Sequence, residues 1–204
     1  MTQTPVQTKG ERTRAAILDE ALKIVSKAGL DGLTDGTLAE ATGLSKSGLF
    51  AHFGSREELL LAVLAHGQAE FTEVVFQPAM AKPRGIARLK AMFTNWLDWT
   101  ESAELPGGCP MIGGASEFDD RPGPVRDAVV EHFARLEREL GRAVELAIGQ
   151  GHLRADLDVE QFVFDMMGII FAYYHGARLF DVARAESRAR VAFERLVAAA
   201  SPTP

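Results

Sequence analysis

The chain contains a single cysteine, Cys109. That excludes an internal disulfide framework and suits a reducing compartment. Long apolar runs are missing. The most apolar stretch, Met166 to Tyr174, is bounded by Asp165 and His175, and nine residues do not span a bilayer, so no membrane partner is expected. The N-terminal MTQTPVQTKGER has no apolar core, so no secretory leader is expected either. No strand alternation, repeat or low-complexity tract is present. The glycine-rich Leu105–Gly114 stretch, LPGGCPMIGG, has no Gly-Lys-Ser/Thr ending and is not a phosphate loop. Cys109 and the histidines at 52, 66, 132, 152 and 175 have no metal-ligand spacing, so no metal and no cofactor is expected. Glu117, Asp119 and Asp120 cluster beside a Pro-Gly turn, where acids commonly cap helices. No paired acids or nucleophile–base motif stand elsewhere, and the chain does not read as an enzyme.

What is present is ordinary globular material. The 204 residues are 47% hydrophobic and 25% charged, enough for one large domain or two with a sizeable core. The net charge of −6 argues against a chain coated in nucleic acid, but the charge is uneven. Residues 1–56 carry seven lysines and arginines against six acids, so any affinity for polyanions must come from local placement.

Helical periodicity runs through the whole chain, and the fold class is all-α. Gly10–Ala28 carries Ile17, Ala21, Ile24, Val25 and Ala28 on one face, with Gly29 as its stop. Lys9, Arg12 and Arg14 make the start of that helix basic, either as a solvated end or as phosphate contacts. A very apolar connector helix starts at Ser55 and runs to Phe76 or Gln77, with Pro78 and Lys82-Pro83 marking the break. Ile86–Thr100 follows, then a short helical piece Ala115–Phe118 after the glycine-rich breaker. Val125–Ile148, Val159–Val182 (capped by Asp158) and a final helix striped by Ala189, Ala192, Phe193, Leu196, Val197 and Ala200 complete the chain.

The stretch with most information is Thr34–Phe53, TDGTLAEATGLSKSGLFAHF. Thr34 caps a first short helix, whose buried side is Leu38, Ala39 and Ala41. Gly36 stands inside that helix at a cost of roughly 1 kcal/mol against alanine. Gly43 suits a left-handed helix end and Leu44 plugs the angle. Ser45 caps a second helix that opens with Lys46, Ser47 and Gly48, while Leu49 and Phe53 face inward. A lysine, a hydroxyl and a bare backbone at a helix N-terminus can approach a DNA groove, as the second helix of a helix-turn-helix does. The same residues also suit a helical hairpin in any α-helical protein.

The flanking sequence distinguishes the two. The first helix, GLDGLT, the turn helices and LFAHFGSREELLLAVL, roughly Thr8 to Leu64, closely resemble the DNA-binding domain of the TetR family of bacterial repressors. The segment GGCPM…EFDDRPGPVRDAV looks like the core-domain sequence of some members. The resemblance implies an N-terminal three-helix helix-turn-helix domain at 9–54 and a C-terminal helical domain for ligand binding and dimerisation at 55–200. It places the recognition helix at 45–52. Ser45, Lys46, Ser47 and Gly48 then lie at base edges and adjacent phosphates. His52 matches a phosphate-contact position, Arg56 a basic position at the start of the next helix, and Thr34 a backbone contact. Phe50, also counted among the DNA-binding residues, stands where the family usually has a tyrosine, so the phosphate contact of that hydroxyl is missing and Phe50 is left to pack or to touch a thymine methyl.

Met92, Trp96, Trp99, Met111, Phe118, Phe133, Met166, Met167, Ile170, Tyr173 and Tyr174 exceed what a tight core prefers, because methionine fills adaptable space and Trp and Tyr carry polar tips. Similar proteins hold a ligand between these helices, so an apolar effector cavity is expected here, with Cys109 beside it. The last two helices also hold more apolar surface than one small domain covers. Phe171, Leu179, Phe180, Phe193, Leu196 and Val197 are the expected contacts of a four-helix, two-fold dimer interface. The resulting expectation is a cytoplasmic, homodimeric transcriptional regulator that binds a palindromic double-stranded operator and is released by a small, largely apolar effector. The alternative is a small-molecule or thiol-redox sensor with a degenerate DNA-binding domain.

Overall fold

The computed structural model describes residues 8–102 and 104–202, and among them the chain forms ten α-helices and no strand. Helix α1 (Lys9–Gly32) starts on Thr8. The Thr8 hydroxyl accepts from Glu11 N at 3.2 Å and the Glu11 carboxylate accepts from Thr8 N at 2.7 Å, a reciprocal cap. The backbone breaks at Gly29 (φ 75°) as the sequence predicts, but it then takes one more helical turn to Gly32. That restarted turn has its own orphan N–H groups, which the side chain of Glu117 satisfies.

Helices α2 (Asp35–Thr42) and α3 (Lys46–Phe53) are the two arms of the turn. Thr34 Oγ1 accepts from Thr37 N at 3.1 Å, Ser45 Oγ accepts from Gly48 N at 3.1 Å, and Gly43 takes the left-handed conformation between them (φ 69°). Leu38, Leu49 and Phe53 are buried and Leu44 is half-buried, whereas Ala41 points to solvent. Gly36 lies in the first turn of α2 rather than mid-helix. A side chain there would meet only Thr34 Oγ1 at 3.7 Å.

Helix α4 (Arg56–Phe71) continues through a widened π turn, Thr72–Phe76, into α5 (Gln77–Met80). Pro78 therefore does not end the helix. It falls at the start of α5, directly after the π turn, where the ladder has already been reset and a missing N–H is tolerated. The break comes at Ala81–Gly85. Helix α6 (Ile86–Thr100) matches its predicted span. Helix α7 (Pro110–Phe118) starts inside the glycine-rich stretch, because proline at a first helical position is favourable. Helix α8 spans Pro124–Gly149. Helices α9 (Val159–Leu179) and α10 (Val182–Ala200) divide where one helix was expected to reach Val182. Asp181 caps α10 by accepting from Arg184 N at 2.6 Å, and Phe180 leaves helical geometry.

One apolar cluster runs from Ile17 in α1 to Ala200 in α10. Helix α4 packs on α1, α7 and α8, and α9 packs most extensively on α10. With α5, α4 is long and apolar enough by composition to cross a membrane, the one such helix among the described residues. Leu59, Leu60, Val63, Leu64, Gly67 and Phe71 are buried within the fold, so its apolar character is that of a core helix. His66 Nε2 lies 2.7 Å from Asp19 and 3.2 Å from Glu70, which fastens α4 to α1 on its polar side. Helix α9 is apolar round most of its middle, but only one side of it meets the core. Its Phe162, Met166, Ile170 and Tyr173 face are buried, but Phe164 is 73% exposed on the other side.

Candidate nucleic-acid interface and effector cavity

At the helix-turn-helix, Lys46 and Ser47 are exposed in the first turn of α3, and Ser47 Oγ lies 3.1 Å from Ser45 Oγ. Gly48 and His52 are half-buried. Leu49 and Phe53 anchor the inner side of α3, so the outer side is fixed as the presented one. Thr34 is exposed but already bonded to Thr37. The side chain of Phe50 lies outside the described residues. Arg56 is turned back on α1: its Nη2 is 3.4 Å from the Leu30 and Asp31 carbonyls and 3.7 Å from Asp31 Oδ1. Arg14, one of the basic residues at the start of α1, packs on α3 in a way its sequence position does not reveal. Its guanidinium stands 4.9 Å over the Phe53 ring, which holds the basic start of α1 beside α3.

Of the hollows elsewhere among the described residues, two bear on function. A cavity of about 420 Å³ lies between α4, the π turn, α6 and α8. Of the residues expected to line a pocket, only Met92 lines this one. Trp96 and Trp99 stand behind it, their rings edge-on to Phe71 at 5.3 and 5.9 Å, and His132 joins them at 5.9 Å. Cys109, Met111, Met166, Met167, Ile170, Tyr173 and Tyr174 are instead spent on packing: all are buried core. Phe118 and Phe133 border a separate surface hollow. The expectation that aromatic and sulphur-bearing residues crowd around the cavity is thus corrected. Apart from Phe118 and Phe133 those side chains fill the core, and the cavity opens where the π turn widens α4.

The second hollow is a groove of about 820 Å³ along the outer side of α9 and α10, walled by Phe164, Ile169, Phe180 and Leu196 and floored by Gly168 and Ala172. Leu179 and Phe180 are 69% and 84% exposed. Phe171 is half-buried against Phe133. Two of the expected interface residues face the wrong way for that role. Phe193 is buried and stacked on Phe93, ring centroids 4.0 Å apart, and Val197 is buried on the same inner side.

Cys109 is packed into the core. It is 4% exposed, and burial pushes its thiol pKa up, the opposite of what a reactive sensor needs. The nearby Trp99 N–H is buried and has no hydrogen-bond partner. The neighbouring Gly107 N donates to Ser26 Oγ at 3.2 Å, and a Cβ on Gly107 would fall 1.6 Å from the Ser26 carbonyl oxygen. Only glycine lets this loop lie against α1.

Two family models match the chain. One described as "Bacterial regulatory proteins, tetR family" covers residues 17–63, and one described as "Tetracyclin repressor-like, C-terminal domain" covers residues 85–193. The chain is 35% identical over 154 residues to the HTH-type transcriptional repressor AcnR of Corynebacterium glutamicum, covering 74% of each. It is 26% identical over 175 residues to the HTH-type transcriptional regulator SrpR of Pseudomonas putida, covering 85% of this chain and 79% of SrpR. The fold superposes on a TetR-family regulator from Cytophaga hutchinsonii with a TM-score of 0.82 at 22% identity, over 98% of this chain and 100% of that one.

Proposed function

The chain belongs to the TetR family of transcriptional regulators, and we propose that it acts as a dimeric repressor whose grip on a palindromic operator is released by a small effector. Its DNA-binding unit is taken as residues 9–54 and its sensing and dimerising unit as 55–200. The observation that carries this reading is the exposed first turn of α3, Lys46-Ser47-Gly48, held on a helix whose inner side is pinned by Leu49 and Phe53. Lys46 is the charge offered to a phosphate or a guanine edge. Ser47 and Gly48 allow close approach, Ser45 and Thr34 add backbone-facing hydroxyls, and His52 adds a half-buried ring. Arg56, engaged with Asp31, serves first to hold α1 against α4 and reaches a phosphate only by leaving that pair.

The groove of α9 and α10 supports dimerisation, because Phe164 and Phe180 are exposed in it, Leu196 is half-buried there and the neighbouring Leu179 is exposed. A two-fold pairing there covers apolar surface and sets two recognition helices about 34–36 Å apart, one turn of duplex. The cavity supports effector sensing because its wall includes the end of α4, and α4 begins directly behind α3. A ligand that fits one dimer geometry better than the other shifts the population between them. Such a protein works in the cytoplasm and performs no catalysis.

Selection from a random duplex pool with the full-length protein tests the reading. Enrichment of an inverted repeat is the expected result, with Lys46→Ala weakening binding to it and reducing the salt slope by about one charge. A pool that enriches equally with the parent and the Lys46→Ala chain would overturn it.

A further inference from the structure

The α4–α6–α8 cavity has polar features that packing does not explain. Its walls are Phe71, Met92 and Leu136, all buried, and its charged lining is Arg88, Arg135, Glu139 and Arg142. Arg142 is paired with Glu139 at 3.0 Å. Arg135 donates to Gln68 Oε1 at 3.2 Å, a neutral acceptor. Arg88 donates through Nη2 to the carbonyls of Met80 at 3.2 Å and Lys82 at 3.1 Å, and its Nε is buried with no partner. Two guanidiniums therefore line the cavity with no carboxylate set against them among the described residues.

The inner end shows the same deficit. His132 is 4% exposed, lines the cavity, and its Nδ1 has no partner. Burial, with Arg135 nearby, holds its pKa down at about 4, so it is neutral and the cavity's positive charge is that of the arginines alone. Buried polar atoms in folded proteins are almost always satisfied, so orphans gathered around one hollow point to a group that enters it. The volume lies in the lower part of the range for small-molecule sites, about 300–1,000 Å³.

We propose that this cavity binds an apolar carboxylic acid, its carboxylate held by Arg88 and Arg135 and its hydrocarbon body laid along Phe71, Met92 and Leu136. A planar guanidinium fork matches a carboxylate or a phosphate. The choice between them rests on Glu139, whose own carboxylate borders the same hollow and repels a dianion more than a monoanion. The inference rests on the reading of the chain as an effector-responsive regulator and gives that effector a chemical class.

The test is titration calorimetry of the full-length dimer or monomer, without DNA, against decanoate, decan-1-ol and decyl phosphate below their micelle concentrations. Decanoate is expected to bind at least about tenfold more tightly than the alcohol. Arg135→Gln is expected to remove that advantage while leaving the far-ultraviolet dichroism and the melting temperature unchanged. Arg88→Lys, which keeps the charge but loses the fork, is expected to weaken decanoate and spare the alcohol. Equal binding of acid and alcohol, tighter binding of the phosphate, or no binding of any of the three would each overturn the assignment. A gel shift on the selected operator keeps the two readings apart. Operator binding that decanoate occupies but does not release retains the carboxylate site and removes the release step; release by the alcohol alone does the reverse.

Discussion

The carboxylate of Glu117, on α7, accepts the backbone N–H of Leu30, on α1, at 3.1 Å, and its second oxygen accepts from Asp31 N at 3.1 Å. These are the donors stranded when α1 breaks at Gly29 and restarts, so a residue 87 positions away acts as the cap of that turn. Arg121 is paired with Asp31 and holds its carboxyl below the usual carboxylate range, with Arg56 assisting. The joint between the helix-turn-helix and the body is thus built of hydrogen bonds on α7, beside the Ser26–Gly107 approach. It lies directly before Thr34, the cap of α2.

Glu117→Ala strands two N–H groups and is expected to lower the unfolding free energy by about 1–2 kcal/mol. Glu117→Gln, which keeps one acceptor, is expected to cost less. Gly29→Ala should cost at least as much as Glu117→Ala, because its Cβ would fall 2.2 Å from Glu117 Oε1 at a backbone angle alanine avoids. Urea denaturation of the three variants checks the order. Additive losses for Gly29→Ala and Glu117→Ala in one chain would show that the cap is not shared between them.

Much of this fold is legible in the sequence where the determinant is local. Thr34, Ser45, Ser55 and Asp158 each accept from the N–H three residues on, as their positions predict. The Gly29 restart is not legible, because its cap comes from Glu117. The cavity is hidden for a different reason. Its lining residues Arg135, Glu139 and Arg142 read as the solvated side of an amphipathic α8, while the aromatic and methionine residues that suggest a pocket are consumed by the core. On α10 the stripe Ala189, Phe193, Val197 and Ala200 is continuous and buried, but periodicity alone does not say whether a stripe meets its own core or a partner. Phe193 meets Phe93; Leu196, one step round the helix from Val197, lines the groove.

His132 makes stability depend on pH. Its pKa is about 4 when folded, against an ordinary value of 6.5, chiefly through burial. Below pH 6.5 the unfolded chain takes up the proton while the folded chain does not, so stability is lost as pH falls from about 6.5 to about 4 and changes no further below that. At about 1.4 kcal/mol per pH unit the full effect is on the order of 3 kcal/mol. His132→Phe is expected to flatten the parent's slope in that window in denaturant melts at successive pH values. An identical slope in the variant would assign it to other groups.

Cys109 is expected to be inert in the folded chain. A thiol reagent in modest excess should label it only after denaturant is added, and Cys109→Ala should bind operator with the parent's affinity. Rapid labelling of native protein, or release of operator by mild oxidant that the Cys109→Ala chain resists, would revive the thiol-sensor alternative.

The groove of α9 and α10 gives the last expectation. Gly168 and Ala172 leave room for close approach, Phe164, Ile169 and Phe180 supply apolar walls, and Arg184, Arg188, Asp165 and Asp181 put charges of both signs in the same lining. A lining that mixes apolar walls with both signs of charge suits pairing with its own copy about a two-fold axis. Leu196→Glu places a charge in the groove without touching the inner stripe, and in a dimer each new carboxylate meets an apolar surface or its own mate. The variant is expected to run as a folded monomer in light scattering and to lose operator binding, since one recognition helix cannot span two half-sites. Phe193→Glu is the contrasting case: it buries a charge against Phe93 and should fail to fold rather than dissociate. A Leu196→Glu chain that keeps the parent's mass and its operator would move the interface away from this groove.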